Sequence, residues 1–166
     1  MKKAIVLYNS RGGNTKKVAM KIAEGLGAEC RSNWRIPNLK EYDLVVVGSW
    51  MIMGRISFTG ARYLRRLRWK GISGKKIALF FTSGDPENIH PFTEKSDNPK
   101  TIKEIMFTSM EKILGKNKDI TILPDRFYSV GSARMVRWSK DGDPPGRPNE
   151  EELANAKTFG EKLKKL

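Results

Sequence analysis

Cysteine and histidine each occur once in this chain of 166 residues, as Cys30 and His90. One cysteine cannot form a disulfide within the chain, and one cysteine with one histidine cannot supply a Cys/His zinc site. Long apolar runs are missing as well. The run nearest the start, residues 4–8, is too short for the core of a signal peptide or for a membrane span. We therefore expect a cytoplasmic protein with no metal and no internal disulfide.

Acidic residues are scarce: 18 Asp and Glu stand against 32 Lys and Arg, for a formal net charge of +14. A lysine-rich surface without a partner is one interpretation. The other is an acidic partner, such as nucleic acid, an anionic membrane face or an acidic protein. Charge alone does not separate these alternatives.

Apolar runs alternate with stripes of apolar residues at helical spacing. Runs without internal alternation are typical of strands buried on both faces, as in a parallel sheet. The length predicts a single domain over residues 1–166. We predict strands at residues 3–8, 28–34, 43–48, 76–82 and 126–130, with 120–123 as the rival for the last of them.

Four helices are predicted between and after these strands. The first has Asn14 as N-cap and Gly27 as C-cap, and the second carries the apolar stripe of residues 61–67. The third covers residues 99–114 with Pro99 in its first turn, and the last follows Asn149 as N-cap. Strands alternating with helices predict an α/β fold with helices on both faces of a parallel sheet.

In such sheets, ligands bind outside the carboxyl ends of the strands. Three loops are predicted to meet there: Asn9 to Asn14, Ser49 to Phe58 and Ser83 to about Phe92. They are polar or irregular in ways that packing alone does not require.

The first of these loops has the chemistry of an anion site. Gly12 and Gly13 allow close approach of a ligand to the backbone, and amide groups point outward at a helix N-terminus. Ser10, Asn14 and Thr15 add polar side chains. Neither G-x-x-x-x-G-K-[ST] nor G-x-G-x-x-G is present. A tight turn that binds nothing is the alternative, and the hydroxyl groups favour phosphate.

The segment Ser10-Arg-Gly-Gly-Asn-Thr15 resembles the flavodoxin phosphate loop, [ST]-x-T-G-x-T, with Gly12 in place of a threonine. Residues 42–49, followed by Gly54-Arg55, resemble the second flavin loop of that family. Residues 74–85 are similar to its next strand and third loop, and residues 147–150 to its final segment. The resemblance runs from residue 3 to the C-terminus.

This resemblance implies a flavodoxin-like three-layer sandwich, with a five-stranded parallel sheet of order 2-1-3-4-5, that binds flavin mononucleotide (FMN) non-covalently. The second loop lacks the proline and aromatic of the commoner family pattern, so Trp50 either stacks on the flavin or plugs the loop. His90 either covers the ring or is solvated. The cofactor-binding residues that the resemblance implies are Ser10, Arg11, Gly12, Gly13, Asn14, Thr15, Ser49, Trp50, Met51, Ile52, Met53, Gly54, Arg55, Thr82, Ser83, Gly84, Asp85 and His90.

The resemblance favours an electron carrier that serves an acidic redox protein, such as a ferredoxin or a flavin reductase, and we expect a monomer or weak dimer. An FMN-dependent oxidoreductase is the alternative, of the NAD(P)H:quinone reductase or protoporphyrinogen-oxidising type. A nucleic-acid-binding domain is a further alternative, because residues 55–76 contain eight basic residues and no acidic one. We favour the acidic redox partner, since this basic helix directly follows the second predicted flavin loop.

Overall fold

The computed structural model describes residues 3–32, 34–52, 54–132 and 145–166. Met53, one of the predicted binding residues, lies outside these ranges. The strands are β1 (Ala4–Tyr8), β2 (Glu29–Ser32), β3 (Leu44–Ile52), β4 (Arg55–Ile56), β5 (Lys76–Ser83) and β6 (Thr121–Val130), and the helices are α1 (Asn14–Leu26), α2 (Phe58–Trp69), α3 (Ile102–Leu114) and α4 (Glu150–Lys164).

Five parallel strands form the sheet in the order β2-β1-β3-β5-β6. Counted among parallel strands alone, this is the predicted order 2-1-3-4-5. The prediction did not include β4, a two-residue strand that pairs antiparallel with the end of β3. The predicted edge strand is present as β2, so the parallel α/β fold is confirmed.

Each face of the sheet carries one pair of helices. Val18 and Ile22 of α1 pack with Phe159 of α4 against one face, and Leu64 of α2 packs with Met106 of α3 against the other. The central residues of β1, β3 and β5, 5–7, 45–47 and 77–81, are fully buried between these layers, as the unbroken apolar runs predicted. None of the helices in the described ranges is long and apolar enough to span a bilayer.

Three predicted boundaries were wrong. Gly13, in a left-handed conformation, caps α1 in place of Asn14. Thr101 caps α3 in a capping box with Glu104, in which each side chain accepts a hydrogen bond from the other residue's amide. Pro99 therefore precedes the helix. The rival segments at residues 120–123 and 126–130 belong to one strand, β6, because a bulge opposite Ile77–Leu79 takes up the residues between them.

The final helix begins as predicted. The Asn149 side chain accepts from the Glu152 amide, while the Glu152 carboxylate accepts from the Asn149 amide. This capping box and the acidic first turn stabilise the N-terminus of α4.

Candidate functional site

The carboxyl ends of β1, β3 and β5 border a cavity of about 680 Å³, which we call the turn cavity. It lies where the β1–α1 turn meets the ends of the neighbouring strands, the expected position of a ligand in a sheet of this order. The predicted binding residues that line it are Ser10, Arg11, Gly12, Asn14, Thr15, Trp50, Met51, Ile52, Thr82, Ser83 and Gly84.

The β1–α1 turn is shaped to leave space beside its backbone. Gly13 has φ 93°, a left-handed conformation that favours glycine, and its amide donates to Ser10 Oγ at 3.1 Å. A Cβ atom added at Gly12 would meet no atom of the described residues within 4 Å, its two chain neighbours aside. The turn therefore presents open backbone to the cavity.

Helix α1 begins without a side-chain cap and without an acidic residue in its first turn. The other three helices begin with a side chain that accepts an amide hydrogen: Ser57, Thr101 and Asn149. The first amides of a helix have no acceptor within the helix itself. At α1 they are available to an anion placed against the turn.

Two buried threonines connect this turn to the end of β5. Thr15 Oγ1 and Thr82 Oγ1 lie 2.7 Å apart, and both residues are buried. One hydroxyl donates to the other, so the pair retains one hydrogen for a further acceptor. Asn14 Nδ2 donates to the Ser132 carbonyl at 2.7 Å, which fixes the start of α1 against the end of β6.

The charges around the turn cavity are of one sign. Arg11, Lys17 and Arg147 line it, and no aspartate or glutamate in the described ranges does. Arg147 is paired with Glu152, whereas Arg11 and Lys17 form no ion pair with any described residue. The cavity is therefore suited to an anionic group.

Trp50 is one of four residues, with Ser10, Arg11 and Ile52, that line both the turn cavity and a second, adjoining cavity. The Nε1 of Trp50 is buried with no hydrogen-bond partner among the described residues. The second cavity has a volume of about 740 Å³ and lies beside α2; we call it the helix cavity. Its further lining residues include Trp34, Phe58, Arg62, Tyr63 and Arg66.

The predicted second loop is largely a hairpin. β3 continues through Ile52, and β4 pairs back with Met51 and Ile52. Ser49 is fully buried within β3 and lies outside the lining of both cavities. The irregular loop expected from Ser49 to Phe58 was wrong in this respect, because the pairing with β4 keeps the end of β3 extended.

His90 is buried, in contrast to the solvated alternative, and it does not line either cavity. Its Nδ1 accepts from the Phe92 amide at 3.2 Å, and its Nε2 lies 2.6 Å from the Gly54 carbonyl oxygen. Because Nδ1 accepts, Nε2 carries the hydrogen and donates to Gly54. His90 therefore fixes the hairpin turn in position.

The remaining predicted residues, Gly13, Gly54, Arg55 and Asp85, also lie outside the lining of both cavities. The Arg55 guanidinium lies over the Phe92 ring, 5.1 Å from its centroid. Sequence reasoning missed Lys17 of α1. It also missed Gly131, Ser132, Gly146, Arg147 and Pro148, which complete the lining of the turn cavity. The sequence feature that could have indicated the residues of this last loop is their position just after the last strand and before the last helix.

The fold and the turn cavity define a doubly wound α/β protein with an open, basic turn at the carboxyl edge of its sheet. A family model described as "Flavodoxin domain" matches residues 5–121, and the chain belongs to this family. The family implies flavin binding. The sequence comparison with curated proteins gave no match.

Solved structures show the same fold. A flavodoxin from the domain Archaea is similar at 19% identity, with 98% of this chain and 96% of that chain covered and a TM-score of 0.65. Oxidised Flavodoxin 2 from Bacillus cereus matches at 18% identity, with 95% and 94% covered and a TM-score of 0.62. A WrbA-like flavodoxin from Agrobacterium tumefaciens matches at 14% identity, with 99% and 96% covered and a TM-score of 0.65.

Proposed function

We propose that the protein binds FMN in the turn cavity and exchanges electrons with an acidic redox protein. The observation that carries this proposal is the β1–α1 turn, where an uncapped helix start, an open glycine and unpaired basic side chains converge. When bound, FMN supplies one- and two-electron redox chemistry. The protein binds it, orients it and limits the access of water.

The residues of the turn fit a phosphate group. The amides at the start of α1, the Ser10 hydroxyl and the remaining hydrogen of the Thr15–Thr82 pair are donors, and a phosphate offers only acceptors at neutral pH. Arg11 and Lys17 add positive charge. No carboxylate of the described residues lines the cavity to oppose the phosphate.

The flavin ring is assigned to the part of the turn cavity between the ends of β3 and β5. Trp50, Met51 and Ile52 supply apolar surface on one side, and residues 82–84 supply polar backbone on the other. Trp50 and Thr82 are register partners on adjacent strands. Thr82 also pairs with Thr15 of the phosphate turn, so the end of β5 would contact both the ring and the phosphate.

Titration of the apoprotein with FMN and with riboflavin tests the cofactor assignment. Riboflavin has the same ring and lacks the phosphate, so it is a matched control for the turn. We expect one equivalent of FMN to bind with a change in flavin fluorescence, and riboflavin to bind at least ~30-fold more weakly, because charge-assisted hydrogen bonds are lost. Equal affinities for the two flavins would contradict the assignment of the phosphate to the turn.

The basic face of α2 is proposed as the docking surface for the acidic partner. Arg62, Arg65 and Arg66 are exposed, and the first turn of α2 contains no acidic residue. Opposite charges on two proteins accelerate their association, most strongly at low salt. The helix follows the β3–β4 hairpin, which places this charge next to the turn cavity.

Charge reversal at Arg65 tests this surface, since Arg65 is exposed and lines neither cavity. We expect Arg65→Glu to slow reduction by an acidic ferredoxin several-fold at low ionic strength and little at high ionic strength. Lys118→Glu is the matched control, because Lys118 is exposed just before β6, at the amino ends of the strands and away from the turn cavity. Stopped-flow traces in which the two variants behave alike would rule out a local docking surface on α2.

A further inference from the structure

Two residues that line the helix cavity carry buried polar groups that the described residues leave unpaired. Trp50 Nε1 and the Tyr63 hydroxyl have no hydrogen-bond partner among the described residues, and both residues line the cavity. Tyr63 is only 3% exposed. Buried polar groups are paired in most native structures, so two orphans around one cavity indicate a missing partner.

Both unpaired groups are hydrogen-bond donors. The indole N–H is a donor only, and burial raises the pKa of Tyr63, so its hydroxyl remains protonated and able to donate at neutral pH. Asn9 also lines the cavity, but its Oδ1 already lies within hydrogen-bond distance of the Ser57 and Thr59 hydroxyls. The unpaired groups therefore call for a ligand that accepts hydrogen bonds.

The charges that line the helix cavity also favour a ligand that accepts hydrogen bonds. Arg11, Arg62 and Arg66 line it, and within the described ranges none of them forms an ion pair and no carboxylate lines the cavity. Guanidinium groups bind carboxylate, sulfonate and phosphate oxygens in paired geometry. Three of them around one cavity favour an oxyanion.

Aromatic side chains form the rest of the wall. Trp34 and Phe58 line the cavity while remaining 86% and 79% exposed, so large ring surfaces are left in contact with water. Trp50 lines the helix cavity as well as the turn cavity. Aromatic surfaces of this kind bind planar rings by offset stacking and edge contacts.

We propose that the helix cavity is a second small-molecule site, which binds a planar aromatic compound carrying carboxylate, sulfonate or phosphate groups. This site goes beyond the proposed function and needs no flavin in the turn cavity. The helix cavity shares Ser10, Arg11, Trp50 and Ile52 with the turn cavity, so such a compound would lie beside the flavin site. That position suits a small-molecule electron donor or acceptor, a role that does rest on the proposed function.

Calorimetric titration with a naphthalene dicarboxylate tests the site directly. The matched probes are the neutral naphthalene dicarboxamide, which keeps the rings, and succinate, which keeps the two carboxylates. We expect one equivalent of the dicarboxylate to bind at least ~10-fold more tightly than either control, in protein saturated with FMN and in protein without it. Binding no tighter than the controls would overturn the proposal.

Performing the titration with and without FMN separates this site from the proposed function. A failure of FMN to bind leaves the titration of the flavin-free protein intact. Competition between FMN and the dicarboxylate would overturn the proposal, because it would make the helix cavity a part of the flavin site.

Two variants examine whether the lining residues act as inferred. Tyr63→Phe removes a hydroxyl that is unpaired in the free protein, so we expect an unchanged or higher thermal midpoint and dicarboxylate binding weakened ~3- to 10-fold. Arg66→Gln is expected to weaken binding by at least as much. Arg65→Gln is its matched control, with the same charge change on the same helix outside the cavity. Equal effects of the two arginine variants, or full affinity in Tyr63→Phe, would overturn the assignment.

Discussion

Replacing Gly12 with valine is expected to weaken FMN binding by about 100-fold while changing the free energy of unfolding by less than about 1 kcal/mol. The added Cβ atom would meet no atom of the described residues beyond its chain neighbours, and φ at Gly12 lies outside the left-handed region, so the described fold accommodates it. The same side chain would project into the space assigned to the phosphate. Loss of two charge-assisted hydrogen bonds of about 1.5 kcal/mol each accounts for the expected change.

Gly12→Ala and riboflavin are the controls for this variant. Alanine adds only the Cβ atom, so its effect should be intermediate, and riboflavin should bind Gly12→Val and the parent protein with similar affinity. Fluorescence titrations and urea unfolding measure the two quantities. An FMN affinity that stays at the parental value in Gly12→Val would show that the phosphate does not lie against this part of the turn.

Other substitutions in the turn are less informative, for reasons that only the structure reveals. Gly13 has φ 93°, so Gly13→Val would strain the backbone as well as obstruct the ligand. Thr15→Ala would leave the buried Thr82 hydroxyl without its partner, which costs about 1–3 kcal/mol of stability. Both changes would combine loss of binding with loss of stability.

The arrangement of the sheet could be predicted because each strand and helix has a local signal. Unbroken apolar runs indicate buried parallel strands, and the stripe and capping residues of α4 define that helix almost to the residue. The phosphate turn could be predicted because its glycines and hydroxyls are adjacent in sequence. These features depend on neighbours along the chain.

The helix cavity could not be predicted, because its walls are distant in sequence. Trp34 follows β2, Trp50 lies near the end of β3, and Tyr63 belongs to α2. The sequence around each of them gives no indication of the other two. The role of His90 was hidden for the same reason, since its bond to Gly54 spans 36 residues. Tertiary contacts of this kind leave no periodicity to detect.

The contact between α1 and α4 depends on two glycines that face the opposite helix. A Cβ atom at Gly25 would lie well inside 3.0 Å of the Lys157 carbonyl oxygen, and one at Gly160 equally close to that of Ile22. These are backbone atoms, which cannot move away by a change of rotamer. The two helices therefore approach each other as closely as they do only because neither position has a side chain.

Gly160→Ala is accordingly expected to destabilise the protein by about 2–4 kcal/mol, although helix propensity alone predicts stabilisation by about 1 kcal/mol. The sign of the change in the free energy of unfolding decides between the clash and helix propensity. The clash is with backbone atoms, so it can be relieved only by separating α1 from α4. Asn155→Ala, at an exposed position of α4, is the control in which propensity acts alone, and it should be neutral or slightly stabilising. Urea unfolding measures both.

Gly25→Ala combined with Gly160→Ala should cost less than the sum of the single changes, since one displacement of the helices relieves both clashes. A stabilised Gly160→Ala variant would show that α1 and α4 pack further apart than this structure has them.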